Sequence, residues 1–219
     1  MVLMAKDWTG DKNSVFKVLG ASNHTDHDRA ENDYYATDPI AIDALLEVET
    51  FDGEIWEPCC GEGHLSNRLK ERGYSVISSD LIDRGYGAGN VDFFSCRESW
   101  AKNIVTNPPY SCVTEWTRHS LDILPEGGKL AMFLPIQFLE TKKRRPILQH
   151  DPPVRVLVCS DRVLCAPNGD FYERDEAGNI KYKKDGTPIK LKSAKCYAWF
   201  VWEKGYRGDT VIKLVNCGS

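Results

Sequence analysis

Helical and strand-like patterns alternate between residues 39 and 160, and this alternation most limits the folds open to the chain. Apolar residues at helical spacing follow Pro39, return after Gly63, and recur over 113–124. Short apolar runs with the composition of buried strands lie between these segments. Strand and helix in alternation build a mainly parallel sheet with helices on both faces. The sequence therefore predicts a three-layer α/β domain.

The predicted elements can be assigned to ranges. Seven segments read as strands, and they are 53–57, 74–80, a short element near 91–93, 103–106, 128–135, 153–160 and 195–202. Residues 1–32 are polar without periodicity and predict a flexible arm. Turn signals such as Asn168-Gly169 and Asp185-Gly186 interrupt residues 165–194, which predicts a hairpin-rich insertion. The rest, 33–219, is predicted to form one domain.

Composition excludes several classes of function. A net charge of −4 argues against a uniformly basic protein that coats nucleic acid, although local basic patches occur at 142–145 and 181–195. No apolar run of about 18 residues is present, and the first residues lack a signal-peptide core. We therefore expect a cytoplasmic protein without a membrane partner. The eight cysteines show no CxxC spacing, so we expect reduced thiols and no metal site.

Ligands of such sheets bind beyond the carboxyl ends of the strands, so the residues there are the candidate site. The first predicted strand is followed by a loop, Pro58 to Gly63, in which Gly61 and Gly63 allow a tight turn and close approach of a ligand. The loop is neither a P-loop nor a GxGxxG dinucleotide motif, because neither pattern is completed. By itself, it could equally be a simple turn.

Acidic residues end the next two predicted strands. Asp80 lies 17 residues after Gly63, within the range where a carboxylate accepts hydrogen bonds from ribose hydroxyls. Asp92 could bind an exocyclic amine while the adjacent Phe93 packs on a purine. Each acid alone is more often a cap or a solvated strand end. Their order after the glycine loop favours a ligand that contains adenosine.

The motifs YYATDP, EPCCGEGHL, SSDL, VDFF and NPPY stand in this order over residues 34–136, with weaker agreement at AWFVWEKG. In this the chain resembles S-adenosylmethionine-dependent amino-methyltransferases, and most of all the phage and bacterial DNA adenine-N6 methyltransferases. The resemblance implies a Rossmann-like methyltransferase fold, whose seven-stranded, mainly parallel sheet has an antiparallel last strand. It also implies S-adenosylmethionine as cofactor and a DNA substrate, with the protein a monomer or a weak homodimer.

The resemblance assigns roles to individual residues. Tyr34, Tyr35 and Thr37 correspond to the segment that closes over the methionine part of the cofactor, and Glu57 belongs to the loop that holds its amino-acid part. The complete set of implied cofactor residues is Tyr34, Tyr35, Thr37, Glu57, Pro58, Gly61, Gly63, Asp80, Leu81, Asp92, Phe93 and Asn107. The implied catalytic residues are Asn107, Pro108, Pro109 and Tyr110.

Physical chemistry independently supports a catalytic role for the tetrapeptide. The exocyclic amine of a nucleobase is a poor nucleophile because its lone pair is delocalised into the ring. The Asn107 side-chain oxygen and the Pro108 carbonyl can accept its hydrogens, which favours a pyramidal nitrogen in the right orientation. The prolines stiffen this corner, and Tyr110 offers a face on which an extruded base can stack.

The acceptor is less constrained than the chemistry. Larger relatives carry a dedicated target-recognition domain, whereas the segment 165–194 is far smaller. Cytosine N4, adenine in RNA, a protein glutamine and an inactive regulator therefore remain as alternatives to DNA adenine. The candidate phosphate contacts, expected from the basic patches, are Lys142, Lys143, Arg144, Lys183 and Lys184.

Overall fold

The computed structural model describes residues 35–140, 142–167, 169–191, 193 and 195–217. The strands are β1 (Tyr35–Thr37), β2 (Ile55–Glu57), β3 (Val76–Ser78), β4 (Asn103–Thr106), β5 (Lys129–Pro135), β6 (Arg155–Cys159), β7 (Cys165–Pro167), β8 (Tyr197–Glu203) and β9 (Val211–Val215). The α-helices are α1 (Ile40–Leu46), α2 (His64–Glu71), α3 (Val113–Ile123) and α4 (Arg145–His150). Three short 3₁₀ helices cover Phe93–Ser95, Tyr110–Cys112 and Ile136–Glu140.

Seven strands form the main sheet in the order β3-β2-β4-β5-β8-β6-β9. All are parallel except β8, which runs antiparallel to both of its neighbours, β5 and β6. The predicted fold class, a mainly parallel seven-stranded sheet, is confirmed. The antiparallel strand is β8 as expected, but it is not the last strand, because β9 follows it and pairs in parallel with β6 at the sheet edge.

Helices cover both faces of this sheet, as the three-layer prediction requires. On one face, α1 and α2 bury Leu45 and Leu69 in a cluster that includes Trp199 of β8. On the other face, Trp116 of α3 packs in a second cluster with Phe200 of β8. Successive residues of β8 thus enter opposite cores, because side chains alternate along a strand. This strand is buried on both faces.

The prediction of a strand near 91–93 is wrong, since Phe93–Ser95 forms a 3₁₀ helix. Asp92 precedes it with extended backbone and accepts a hydrogen bond from the Phe94 backbone N–H at 3.0 Å. A short side chain that bonds its own backbone two residues on offers the chain a local alternative to strand pairing. The aromatic run, although rich in strand-forming residues, turns instead.

A separate two-stranded sheet links the start of the described chain to the insertion. β1 pairs antiparallel with β7, with Tyr35 opposite Pro167 and Thr37 opposite Cys165. The predicted strand alternation did not include either strand.

Beyond β7, the insertion folds as three short segments, each bonded to the other two. The backbone N–H of Glu173 donates to Ile189, that of Lys181 to Glu173, and that of Ile189 to Lys181, each at 2.8 Å. The turns between the segments include Gly178 and Gly186, both with positive φ. The described helices include none long and apolar enough to cross a membrane.

Candidate active site

The carboxyl ends of β2 and β4, together with β1 and the loop after β3, border one cavity of about 600 Å³. Parallel strands direct these ends to the same edge of the sheet, where open α/β sheets bind their ligands. Of the predicted site residues, those lining the cavity are Tyr35, Thr37, Glu57, Pro58, Asp80, Leu81, Asp92, Phe93, Asn107, Pro108, Pro109 and Tyr110. The fold thus brings together residues that are far apart in the sequence.

Asn107 follows β4 and is held by β1. Its side-chain Nδ2 donates to the Tyr35 carbonyl at 3.2 Å and to Thr37 Oγ1 at 2.8 Å. A backbone carbonyl can only accept, so the amide must present its NH₂ group to β1. The other amide atom, Oδ1, is buried and has no hydrogen-bond partner among the described residues. A buried acceptor without a partner is costly, and this one lies in a residue that lines the cavity.

The rest of the tetrapeptide forms a rigid corner between β4 and α3. Pro109 has a φ of −62° and a ψ of 123°, and the 3₁₀ turn Tyr110–Cys112 leads directly into α3. The Tyr110 hydroxyl points away from solvent and lies 3.7 Å from Cys165 Sγ of β7. Burial, with the nearby Cys165 and Tyr197, raises the pKa of Tyr110 well above its usual value. The hydroxyl therefore anchors the ring and stays protonated.

The glycines of the loop after β2 make contacts within the chain. Gly63 has a φ of 85°, and a Cβ atom there would lie 2.4 Å from Tyr86 Cζ. Gly61, with a φ of 52°, donates its N–H to Asp80 Oδ2 at 2.8 Å. Neither glycine is among the residues that line the cavity. Their contact with a cofactor stays a prediction. The positive φ of both residues, and the Tyr86 ring beside Gly63, favour glycine at these positions independently of a ligand.

Asp80 is 8% exposed and lines the cavity where β3 ends. Besides Gly61, its carboxylate accepts a bond from the Ile82 N–H at 2.9 Å and forms an ion pair with Arg84 at 2.9 Å. A carboxylate has about four acceptor positions, and three bonds are accounted for here. Asp80 thus orients the glycine loop while keeping capacity for a ligand hydroxyl.

Glu57, the last residue of β2, is 2% exposed. It accepts a hydrogen bond from the Ser66 hydroxyl, whose Oγ lies 2.6 Å from Ser78 Oγ. Burial raises the pKa of Glu57 to about 8, and the neighbouring Asp80 charge adds to this, while the Ser66 bond opposes it. A carboxyl group that is neutral near pH 7 and borders the cavity can ionise when a cationic group enters.

Phe93 lines the cavity, but most of its ring is covered. Its ring stacks on Trp116 with centroids 3.6 Å apart and planes 9° apart, and it is 4% exposed. One face is therefore unavailable to a purine. The neighbouring Phe94 is 45% exposed and also lines the cavity, so it offers a freer aromatic surface. Asp92 lines the cavity while capping the 3₁₀ helix.

The predicted nucleic-acid residues lie outside the cavity. Lys142, Lys143, Lys183 and Lys184 are exposed. Arg144 is half-buried and differs from the lysines, because its guanidinium donates to the carbonyls of Phe138 and Gln137 at 2.7 and 2.9 Å. It also lies 4.7 Å from the centre of the Phe138 ring. Arg144 thus closes the turn before α4, and any phosphate contact would be additional.

Some predictions fall on residues that the structure does not describe. Tyr34 and the proposed arm 1–32 lie outside the described ranges. Within those ranges, no group of three or more His, Cys, Asp or Glu could hold a metal ion.

Sequence reasoning missed several residues that line the cavity. Besides Phe94, they include Cys59, Cys60, Arg84, Cys112 and Trp116. A sequence signal existed for Arg84, which follows the strand-ending Asp80 by four residues. The sequence gives no comparable signal for Trp116, because this residue lines the cavity through the packing of α3 on Phe93.

Comparisons with known proteins inform the fold. No family model matches the chain, and no curated protein matches its sequence. The matching solved structures have low identity. A predicted O-methyltransferase from Agrobacterium tumefaciens has a TM-score of 0.53 and 12% identity, over 83% of this chain and 89% of its own.

Two further solved structures have similar scores. An S-adenosylmethionine-dependent methyltransferase from Listeria monocytogenes, assigned to class I, has a TM-score of 0.51 and 12% identity, over 95% of this chain and 72% of its own. The type IIG restriction endonuclease BpuSI has a TM-score of 0.51 and 13% identity, over 88% of this chain and 28% of its own. The chain spans only 66% and 61% of two other structures it matches. The chain thus has the fold of S-adenosylmethionine-dependent methyltransferases.

Proposed function

We propose that this protein transfers a methyl group from S-adenosylmethionine to the exocyclic N6 amine of adenine in DNA. The observation that carries the proposal is the side chain of Asn107. Its amide nitrogen is fixed by β1, and its amide oxygen is buried, unpaired among the described residues, and part of a residue lining the cavity. An amine that donates a hydrogen to this oxygen would satisfy it.

The cavity fits the proposed cofactor. Its volume of about 600 Å³ lies within the range of about 300–1,000 Å³ of small-molecule sites. Asp80 would accept bonds from the ribose, Glu57 would face the amino group, and Phe94 with Asp92 would meet the adenine. When bound, S-adenosylmethionine supplies an electrophilic methyl group on a sulfonium.

The chain itself contributes orientation and charge stabilisation to the reaction. Asn107 Oδ1 and the Pro108 carbonyl would accept the two hydrogens of the amine, which directs its lone pair away from the aromatic ring. Because Asn107 is already held by β1, this alignment requires no reorganisation of the amide when the base arrives. Pro108 is buried and Pro109 is half-buried, so the corner that holds the carbonyl is stiff.

Two observations favour a nucleic acid, and DNA in particular, as the acceptor. The insertion lies beside the cavity, because its Phe171 ring contacts the cavity residue His64, with centroids 5.3 Å apart. The insertion is also tied to the segment after β1, where Lys190 forms an ion pair with Asp38 at 2.7 Å. Lys183 and Lys184 on this insertion are exposed and could contact phosphates. The similarity to a restriction endonuclease also supports DNA.

The test is incubation with radiolabelled S-adenosylmethionine and unmethylated DNA, RNA or protein, followed by nucleoside and amino-acid analysis. We expect label in N6-methyladenine from DNA. Label only in RNA, in N4-methylcytosine or in protein would move the proposal to that acceptor, and label in none would favour an inactive regulator. Asn107→Ala should abolish transfer and leave cofactor binding largely intact, whereas Asn216→Ala, at an exposed position after β9, should keep both.

A further inference from the structure

Four aromatic rings form a column that runs from the sheet core to the cavity. Phe133 of β5 stacks on Tyr197 with ring centroids 5.2 Å apart. Tyr197 neighbours Tyr110 at 6.3 Å, and Tyr110 stacks on Tyr35 at 6.1 Å with planes 25° apart. The column thus ends at Tyr35 of β1.

The two ends of this column differ in burial. Phe133 is 0% exposed and Tyr197 is 5% exposed, and neither lines the cavity. Tyr110 and Tyr35 do line it. The side of the Tyr110 ring that faces Tyr197 is therefore closed by the core, and the side that remains for a ligand is the one that faces Tyr35.

The position of Tyr35 is fixed by its backbone. Its strand pairs with β7, and its carbonyl accepts the bond from Asn107 Nδ2. The side chain itself is only half-buried, which leaves its ring freer to shift than its backbone. The Tyr35 ring thus belongs to a residue that contacts Asn107, whose amide oxygen has no partner among the described residues.

We propose that Tyr35 is a base-contacting residue, and that the target adenine is held between the rings of Tyr35 and Tyr110. This inference rests on the proposed function and adds a second aromatic wall to the site. Two van der Waals contacts of about 3.5 Å place sandwiching rings about 7 Å apart. The ring centroids are now 6.1 Å apart, closer than this spacing, so the half-buried Tyr35 ring has to move to admit a base.

This role differs from the one that the resemblance assigns to Tyr35, which is cover for the methionine part of the cofactor. The two roles make different predictions. A cofactor cover changes the affinity for S-adenosylmethionine when it is removed, whereas a base-contacting ring changes the handling of DNA and leaves cofactor affinity unchanged.

The experiment begins with methylation of unmethylated genomic DNA, followed by single-molecule sequencing to map the modified adenine. An oligonucleotide duplex with 2-aminopurine at that position is then bound to the protein with S-adenosylhomocysteine, and fluorescence is recorded. In wild-type protein, the extruded base is quenched by stacking. Tyr35→Leu should raise the fluorescence severalfold and lower kcat/KM for DNA about tenfold. Tyr35→Phe keeps the ring and should therefore keep the quenching.

Calorimetric titration with S-adenosylmethionine separates the two roles. The dissociation constant should be unchanged in Tyr35→Leu. Tyr206→Leu, in the loop after β8, controls for loss of a tyrosine away from the cavity and should leave every readout unchanged. Unchanged fluorescence in Tyr35→Leu, or a large loss of cofactor affinity, would overturn the inference. If no methylated adenine is found in DNA at all, the proposed function fails and this inference fails with it.

Discussion

Replacing Glu57 with glutamine should stabilise the protein at alkaline pH and have little effect in acid. The carboxyl group is buried at the end of β2, with the Ser66 hydroxyl as donor and Asp80 nearby. Its pKa is raised from 4.5 to about 8 in the folded state. Glutamine keeps the shape and an acceptor for Ser66, but it cannot ionise.

The sign follows from proton linkage. Between the two pKa values the folded protein keeps the Glu57 proton while the unfolded chain has lost it, so the wild type loses stability as the pH rises from 4.5 towards 8. Over this pH range, Glu57 lowers the free energy of unfolding by about 1.4 kcal/mol per pH unit. The total loss above pH 8 approaches ~5 kcal/mol. Below pH 4.5 both states bind the proton and the penalty is absent.

Urea unfolding of wild type and Glu57→Gln, followed by tryptophan fluorescence between about pH 5 and about pH 9, measures this. Taking the difference between the two proteins cancels the titration of other groups. The advantage of glutamine should grow with pH and level off above about pH 8. A difference that stays constant across the range would show that Glu57 titrates normally, and it would refute the reasoning.

Three further predictions concern Glu57, the glycine loop and the insertion. If the proposed function holds, binding of S-adenosylmethionine at pH 7 should release about one proton, measured calorimetrically in buffers of different ionisation enthalpy, and Glu57→Gln should abolish the release. Gly63→Ala and Gly73→Ala share the cost of a positive φ, ~1–2 kcal/mol, but of the two only Gly63 has a ring beside it. Gly63→Ala should therefore have the lower urea midpoint, and equal midpoints would contradict that contact. Alanine at Lys183 and Lys184 should reduce the salt slope of DNA binding by about 2; an unchanged slope would remove both as phosphate contacts.

Much of the sheet could be predicted because its strands carry their own signal. β5 and β8 are dense apolar runs, so their positions follow from composition alone. β9 was not predicted although its sequence VIKLV is largely apolar; in the structure Ile212 is 63% and Leu214 77% exposed, and Val215 is buried. The turn at Asp92 also escaped, since a local side-chain bond outweighed the strand preference of the phenylalanines that follow.

The site was predictable to the extent that strand ends determine it. Asp80 and Asn107 follow strands whose ends must meet, so sequence order places them at one edge. The residues that cover or hydrogen-bond each site residue come from distant parts of the chain. No pattern near Phe93 shows that Trp116 covers its ring, and nothing near Asn107 shows that β1 fixes its amide. Such contacts depend on tertiary packing.

The interior position of β8 has a consequence for how the chain is made. β5 can pair with β4 early, but its other edge and the facing edge of β6 cannot form their native hydrogen bonds until β8 enters between them. In the same way, β1 cannot form its strand pairing until β7, about 130 residues later in the sequence, has been synthesised. A nascent chain that ends before residue 197 would leave one edge of β5 and both edges of β6 unpaired. Folding is therefore completed from the C-terminal side, and the aromatic column closes only once Tyr197 has left the ribosome.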